Sequence, residues 1–138
     1  MIRPFTSAWA SSVVLVRKPD GTIRFCVDYR RLNAITIADR YPLPRVDDLI
    51  EQVSGHALYS VIDLVSGFWQ IPVNLADIVK TAFCTVDGLF EFVLMPFGLR
   101  NAPATFQRLM DTVLRSLNRK VCVVYLDDII VFSPTNLY

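Results

Sequence analysis

Val121-Cys-Val-Val-Tyr-Leu-Asp-Asp-Ile-Ile-Val-Phe132 is the stretch on which the fold turns. Two apolar runs rich in β-branched and aromatic residues flank Asp127 and Asp128, which reads as a β-hairpin with both acids at its tip. A turn chosen only for stability would carry Asn-Gly or Asp-Gly, because those residues accept positive φ. Two adjacent carboxylates repel instead, and desolvating them is costly unless something neutralises them. A divalent cation is the usual neutraliser. Asp-Asp on a tight strand tip is therefore a candidate metal site on chemical grounds.

The chain contains its own control. Asp47-Asp48 is a second acidic pair, but it follows Pro44 and opens the apolar series Val46, Leu49, Ile50, Val53 at helical spacing. Carboxylates in the first turn of a helix favour the positive end of its dipole. That pair reads as structural.

The 138 residues make at most one domain, or part of one. A hydrophobic fraction of 53% is enough for a core. The net charge of +1 advertises no global field for nucleic acid, although local patches need not move the total. Cys26, Cys84 and Cys122 are far apart in strand-like runs and read as reduced core residues of an intracellular protein. His56 has no second His or Cys beside it, which argues against zinc. There is no membrane-length apolar run and no signal peptide.

Around the acidic hairpin the chain alternates short strands and helices. Val13–Arg17 and Ile23–Tyr29 flank the turn Lys18-Pro-Asp-Gly-Thr22 and predict a hairpin with a basic edge. A helix is expected from Pro44 to Gly55, then a buried strand over Leu58–Leu64 carrying Asp63. Thr81–Val86 and Leu89–Val93 flank Asp87-Gly88, another hairpin signal. Asn101 can cap a helix to about Leu117 with the stripe Phe106, Leu109, Met110, Val113, Leu117 taken as core. The expected class is α+β, an antiparallel sheet with helices packed on one face. If the strands ending in Asp63 and Asp127 are neighbours, three carboxylates converge at one sheet edge and can hold two magnesium ions about 3.5–4 Å apart for phosphoryl displacement.

The ordered blocks are Leu15-Val-Arg-Lys-Pro-Asp-Gly21, Arg24-Phe-Cys-Val-Asp-Tyr-Arg30, Tyr41-Pro-Leu-Pro44, Ile62-Asp63-Leu64, Ser66-Gly67-Phe68, Lys80-Thr-Ala-Phe83, Met95-Pro-Phe-Gly-Leu99, Asn101-Ala-Pro-Ala-Thr-Phe-Gln107 and Tyr125-Leu-Asp-Asp128. Together they resemble the reverse transcriptase of gypsy-class (metavirus-like) LTR retrotransposons over nearly the whole chain. The resemblance implies an RNA-directed DNA polymerase of right-hand architecture. Residues 1–58 and 77–100 would be largely fingers, and residues 59–76 and 101–138 largely palm. Thumb, connection and RNase H would lie beyond the chain. The final strand, Ile129–Ser133, would then lack neighbours and expose an apolar edge.

By the same resemblance Asp63, Asp127 and Asp128 match the metal-binding triad, with the Leu64 carbonyl completing a shell of two magnesium ions, or manganese in their place. Lys18, Arg24, Ser66, Gly67, Phe68 and Phe97 would meet the incoming dNTP, Phe68 as the aromatic gate against a ribose 2′-hydroxyl. Arg30 and Gln107 would touch the template or the palm. The implied partners are an RNA or DNA template with its primer, dNTP and the remaining polyprotein, with no membrane. The implied location is intracellular: cytoplasm, virus-like particle or nucleus. The chain departs from the family's usual pattern at Ala8, Ser12, Val65, Trp69 and Cys84, none of which removes a metal ligand.

Plainer roles compete. Lys18 and Arg24 suit a solvated strand face, Phe68 and Trp69 suit a core, and Asp28 can pair with Arg24 or Arg30. A truncated, non-catalytic fragment that binds nucleic acid or a partner chain is the alternative function.

Overall fold

Two separate sheets, one of five strands and one of three, carry the architecture in a computed structural model that describes residues 1–133. Contacts group residues 1–38 with 68–102 in a first unit, and residues 39–67 with 103 onward in a second. Residues 39–58 thus group with the second unit and residues 68–76 with the first.

In the first unit the strands are β1 (Ile2–Pro4), β2 (Ser11–Arg17), β3 (Ile23–Val27), β5 (Phe83–Thr85) and β6 (Gly88–Phe92), in the order β1-β6-β5-β2-β3. The β2–β3 hairpin pairs Val13 with Val27 through Arg17 with Ile23. Its turn closes with Lys18 N–H donating to Thr22 O at 2.8 Å, while Asp20 Oδ1 accepts from the Thr22 amide at 2.8 Å. Gly21 supplies the positive φ of 83° that the turn requires. β5 and β6 form the second expected hairpin, closed by Thr85 opposite Gly88. One pairing departs from an all-antiparallel sheet: β2 runs parallel to β5, with Ser11 opposite Phe83.

The core of this unit gathers around Phe83, whose ring meets those of Phe25, Phe90 and Phe92 at 5.5, 5.9 and 5.0 Å. Tyr29 lies past β3 and precedes α1 (Arg30–Ile35); it is buried, and its hydroxyl donates to Thr81 O at 2.8 Å. Burial holds the Tyr29 phenol well above its usual titration range. Glu91 is fully buried on β6 and takes a 2.6 Å bond from Arg3 Nε, a pairing of β1 to β6 that sequence spacing does not signal. Cys84 is exposed, so the expectation of three core cysteines holds for buried Cys122 and half-buried Cys26 only. Its outward position follows from its place between Phe83 and Thr85 on a strand whose faces alternate.

The second unit holds β4 (Leu58–Asp63), β7 (Cys122–Tyr125) and β8 (Asp128–Ser133), ordered β4-β8-β7 and antiparallel throughout. β8 is thus the central strand, not the bare edge expected from the sequence. Hydrophobicity cannot tell a central strand from an edge, because pairing is decided by partners far along the chain. β4 and β7 are the two edges, and all residues of β4 are exposed, including Leu58, Tyr59, Val61 and Ile62. The buried strand predicted here is buried only if something outside the described residues covers it.

α2 (Val46–Val53) starts with Asp47 and Asp48 in its first turn, as read from the sequence. α3 runs Ala102–Val113. Its buried line is Phe106, Gln107 and Met110, while Leu109, Val113 and Leu117 are exposed. The predicted apolar stripe is therefore core on one side only. The helix is turned about its axis so that a polar residue, Gln107, enters the interior. No described helix is long and apolar enough to cross a membrane.

Candidate active site

The ladder between β4 and β8 sets the three acids at one end of the three-stranded sheet. Asp63 is the last residue of β4 and lies opposite Asp128, the first residue of β8. One residue further, Leu64 N–H donates to Asp127 O at 2.9 Å. β7 and β8 are joined through Leu126 and Asp127, with Tyr125 opposite Asp128. Two-residue connections between antiparallel strands favour turns with positive φ. Leu126 adopts φ 53°, a conformation that costs an L-residue about 1–2 kcal/mol. The turn is therefore built against local preference and must be held from outside.

Asp127 is the focus. Its Oδ1 is buried and has no hydrogen-bond partner among the described residues. Burial first, and then the charges of Asp63 and Asp128, push its carboxyl above the usual 3.8. Gly67 makes this approach possible: a Cβ there would sit 2.7 Å from Asp127 Oδ1 and 2.7 Å from Phe106 Cζ. Ser66 before it turns the chain at φ 55°, and Gly67 N–H donates to Leu64 O at 3.2 Å. A carbonyl has two lone pairs, so Leu64 O keeps one for another partner.

Backbone register, rather than a closed cluster of side chains, brings the acids to one edge. No group of three or more His, Cys, Asp or Glu side chains among the described residues is arranged to hold a metal ion as it stands. The donor chemistry nevertheless fits a hard cation. All candidate ligands are oxygens, which magnesium favours, and the orphaned Asp127 Oδ1 is a buried acceptor that a cation would satisfy.

The expected nucleotide contacts fall partly in the other unit. Lys18 and Arg24 are exposed on the β2–β3 hairpin. Phe68 is buried and packs against Phe97 with ring centroids 5.1 Å apart, and Trp69 meets the same Phe97 at 6.1 Å. Ser66 and Gly67 stand with the acids in the second unit.

The two template candidates are both engaged elsewhere. Arg30 binds Asp28, with Nη2 at 2.6 Å from Oδ2, and this partner holds the Asp28 carboxyl down at about 2. Gln107 has no solvent exposure. Its Oε1 accepts from Leu126 N–H at 3.0 Å, and its Nε2 donates to Val124 O at 3.3 Å and to Asp111 Oδ1 at 3.2 Å. Its polar atoms are engaged by the hairpin and by Asp111.

Sequence reading missed the group behind Gln107. Tyr41 Oη donates to Asp111 Oδ2 at 2.7 Å, and Asn118 Nδ2 donates to Asp111 Oδ1 at 3.0 Å. Arg108 lies over the Tyr41 ring, 4.7 Å from its centroid, and binds Asp39 at 2.6 Å. The one available signal was the i,i+4 spacing of Gln107 and Asp111 on a helix.

Comparisons with known proteins place this geometry. Residues 16–137 match the family model described as reverse transcriptase (RNA-dependent DNA polymerase). The chain belongs to that family. It is 49% identical over 98% of its length to the retrovirus-related Pol polyprotein from transposon 297 of Drosophila melanogaster. It is 40% identical over 96% of its length to the corresponding polyprotein from transposon gypsy of the same organism. The chain spans 13% of each of these polyproteins. Among solved structures, the foamy viral protease-reverse transcriptase in complex with RNA/DNA hybrid is similar at TM-score 0.87 and 26% identity, over 97% of this chain and 18% of that one. The gypsy-class resemblance and the expected fold class are borne out.

Proposed function

We propose that this chain carries the nucleotidyl-transfer centre of an RNA-directed DNA polymerase, acting within a longer polyprotein. The observation that supports this reading is the register that sets Asp63 opposite Asp128, with Asp127 next in the chain carrying a buried Oδ1 that has no hydrogen-bond partner among the described residues. Asp63, Asp127, Asp128 and the Leu64 carbonyl would hold two magnesium ions. Those ions, when bound, lower the pKa of an attacking hydroxyl and stabilise the leaving oxygen.

The remaining work falls to the chain's own residues. Lys18 and Arg24, both exposed, offer cationic donors to a triphosphate, Arg24 with a geometry suited to paired oxygens. Phe68, packed against Phe97, would serve as the aromatic gate that admits a deoxyribose and excludes a 2′-hydroxyl. No side chain serves as a covalent nucleophile, so rate enhancement rests on positioning and charge stabilisation. Template, primer and dNTP are the substrates in this reading. The exposed apolar residues of β4 favour cover by the remaining polyprotein.

The test is primer extension on an RNA template with magnesium, comparing a longer form of the chain with its Asp127→Asn variant. The variant should extend at a small fraction of the parent rate. Equal extension by both would remove the assigned site, and salt-independent binding of RNA–DNA duplex would argue against phosphate contacts as well.

A further inference from the structure

We infer that Gln107 is a positioning residue for the acidic turn, oriented by Asp111, and that this pair sets how Asp127 presents its carboxylate; the inference rests on the acidic turn being the polymerase centre. Three observations carry it.

First, Gln107 is fully buried, and two of its three polar contacts bracket Tyr125 on the hairpin, at Val124 O and Leu126 N–H. Its carboxamide presents a donor and an acceptor side by side, as a peptide group does, and so stands in for a neighbouring strand on the side of β7 where none pairs among the described residues. Second, the residue it grips is the strained one: Leu126 at φ 53° immediately precedes Asp127. A left-handed leucine persists only where surrounding contacts over-determine it. Third, the carboxamide can point only one way. Asp111 Oδ1 is an acceptor, so Gln107 must face it with Nε2, which leaves Oε1 for Leu126. Asp111 is itself fixed by Tyr41 Oη at 2.7 Å and Asn118 Nδ2 at 3.0 Å.

The consequence is a relay of fixed geometry from the Tyr41 segment to the acidic turn, all within the second unit. Leu126 immediately precedes Asp127, so a shift of the Leu126 backbone carries the acid with it. Groups that orient metal ligands in this way alter metal affinity by about 10–100-fold when removed.

The test uses the 138-residue chain and two variants, Gln107→Met, which keeps volume and loses the amide, and Asp111→Asn, which frees the amide to turn. Manganese is titrated and free ion is followed by electron paramagnetic resonance, while NMR hydrogen exchange reads the Leu126 amide. Gln107→Met is expected to bind manganese about tenfold more weakly and to exchange the Leu126 amide on the order of tenfold faster. Amides of the β2–β3 hairpin should be unchanged. Asp111→Asn should move both readouts the same way by less, and it decides the matter if Gln107→Met does not fold. A Leu126 amide that exchanges no faster in a folded variant overturns the positioning role, whatever the metal does. Manganese binding by Asp127→Asn as tight as the parent's would instead overturn the metal-site reading and leave the exchange result to judge Gln107.

Discussion

Gly67→Ala concentrates the geometry of the site in one methyl group. The added Cβ would lie 2.7 Å from Asp127 Oδ1, 2.7 Å from Phe106 Cζ and 3.0 Å from Phe106 Cε2, where ordinary contact begins at 3.4 Å. Each of the two closest atoms must therefore retreat by 0.7 Å (3.4 − 2.7). Phe106 is 2% exposed and has no room to swing. The Asp127 carboxylate is the softer neighbour and would rotate away from its place beside the other acids. Overpacking of this kind costs about 1–3 kcal/mol, and a misplacement of about 1 Å in a reacting constellation costs about 100-fold in rate. Urea unfolding should show a lower midpoint with an unchanged slope, and single-nucleotide extension by the longer chain should fall about 100-fold. A variant with the parental midpoint and an extension rate within about twofold of it would refute the steric argument.

Other consequences are more local. Folded Asp127 holds its proton more tightly than the unfolded chain does, so folding takes up a proton between pH 3.8 and the raised value, and stability falls as pH rises through that window. Asp127→Asn should therefore be more stable than the parent at neutral pH in metal-free urea melts, with the advantage vanishing as pH falls below 3.8; an advantage that grows on acidification would contradict this sign. Tyr29→Phe leaves Thr81 O without its buried donor and should cost about 1–3 kcal/mol in the same melts, with manganese binding untouched. Phe68→Val should let ribonucleotides compete better with deoxyribonucleotides in extension assays; unchanged sugar selectivity would mean that Phe68 serves Phe97 as packing and nothing more.

Local chemistry was legible in the residues. The apolar β-type runs flanking Asp127-Asp128, the Lys18–Thr22 turn and the acids opening α2 all folded as their patterns require. Turn residues and short apolar periods act over a few neighbours, and those neighbours are adjacent in the chain. The convergence of Asp63 with the hairpin could be stated as a condition, and the β4–β8 register met it.

Long-range partners belonged to the tertiary structure. Nothing between residues 58 and 133 says that β8 takes the centre of its sheet or that β4 takes its exposed edge. The family resemblance alone put Gln107 forward as a template or palm contact, and nothing in its local pattern told which groups it would bond. Folding buried it against the Leu126 N–H, which donates to its Oε1. The composition of a segment states which groups need partners, whereas only the packed chain decides which partners are within about 3 Å.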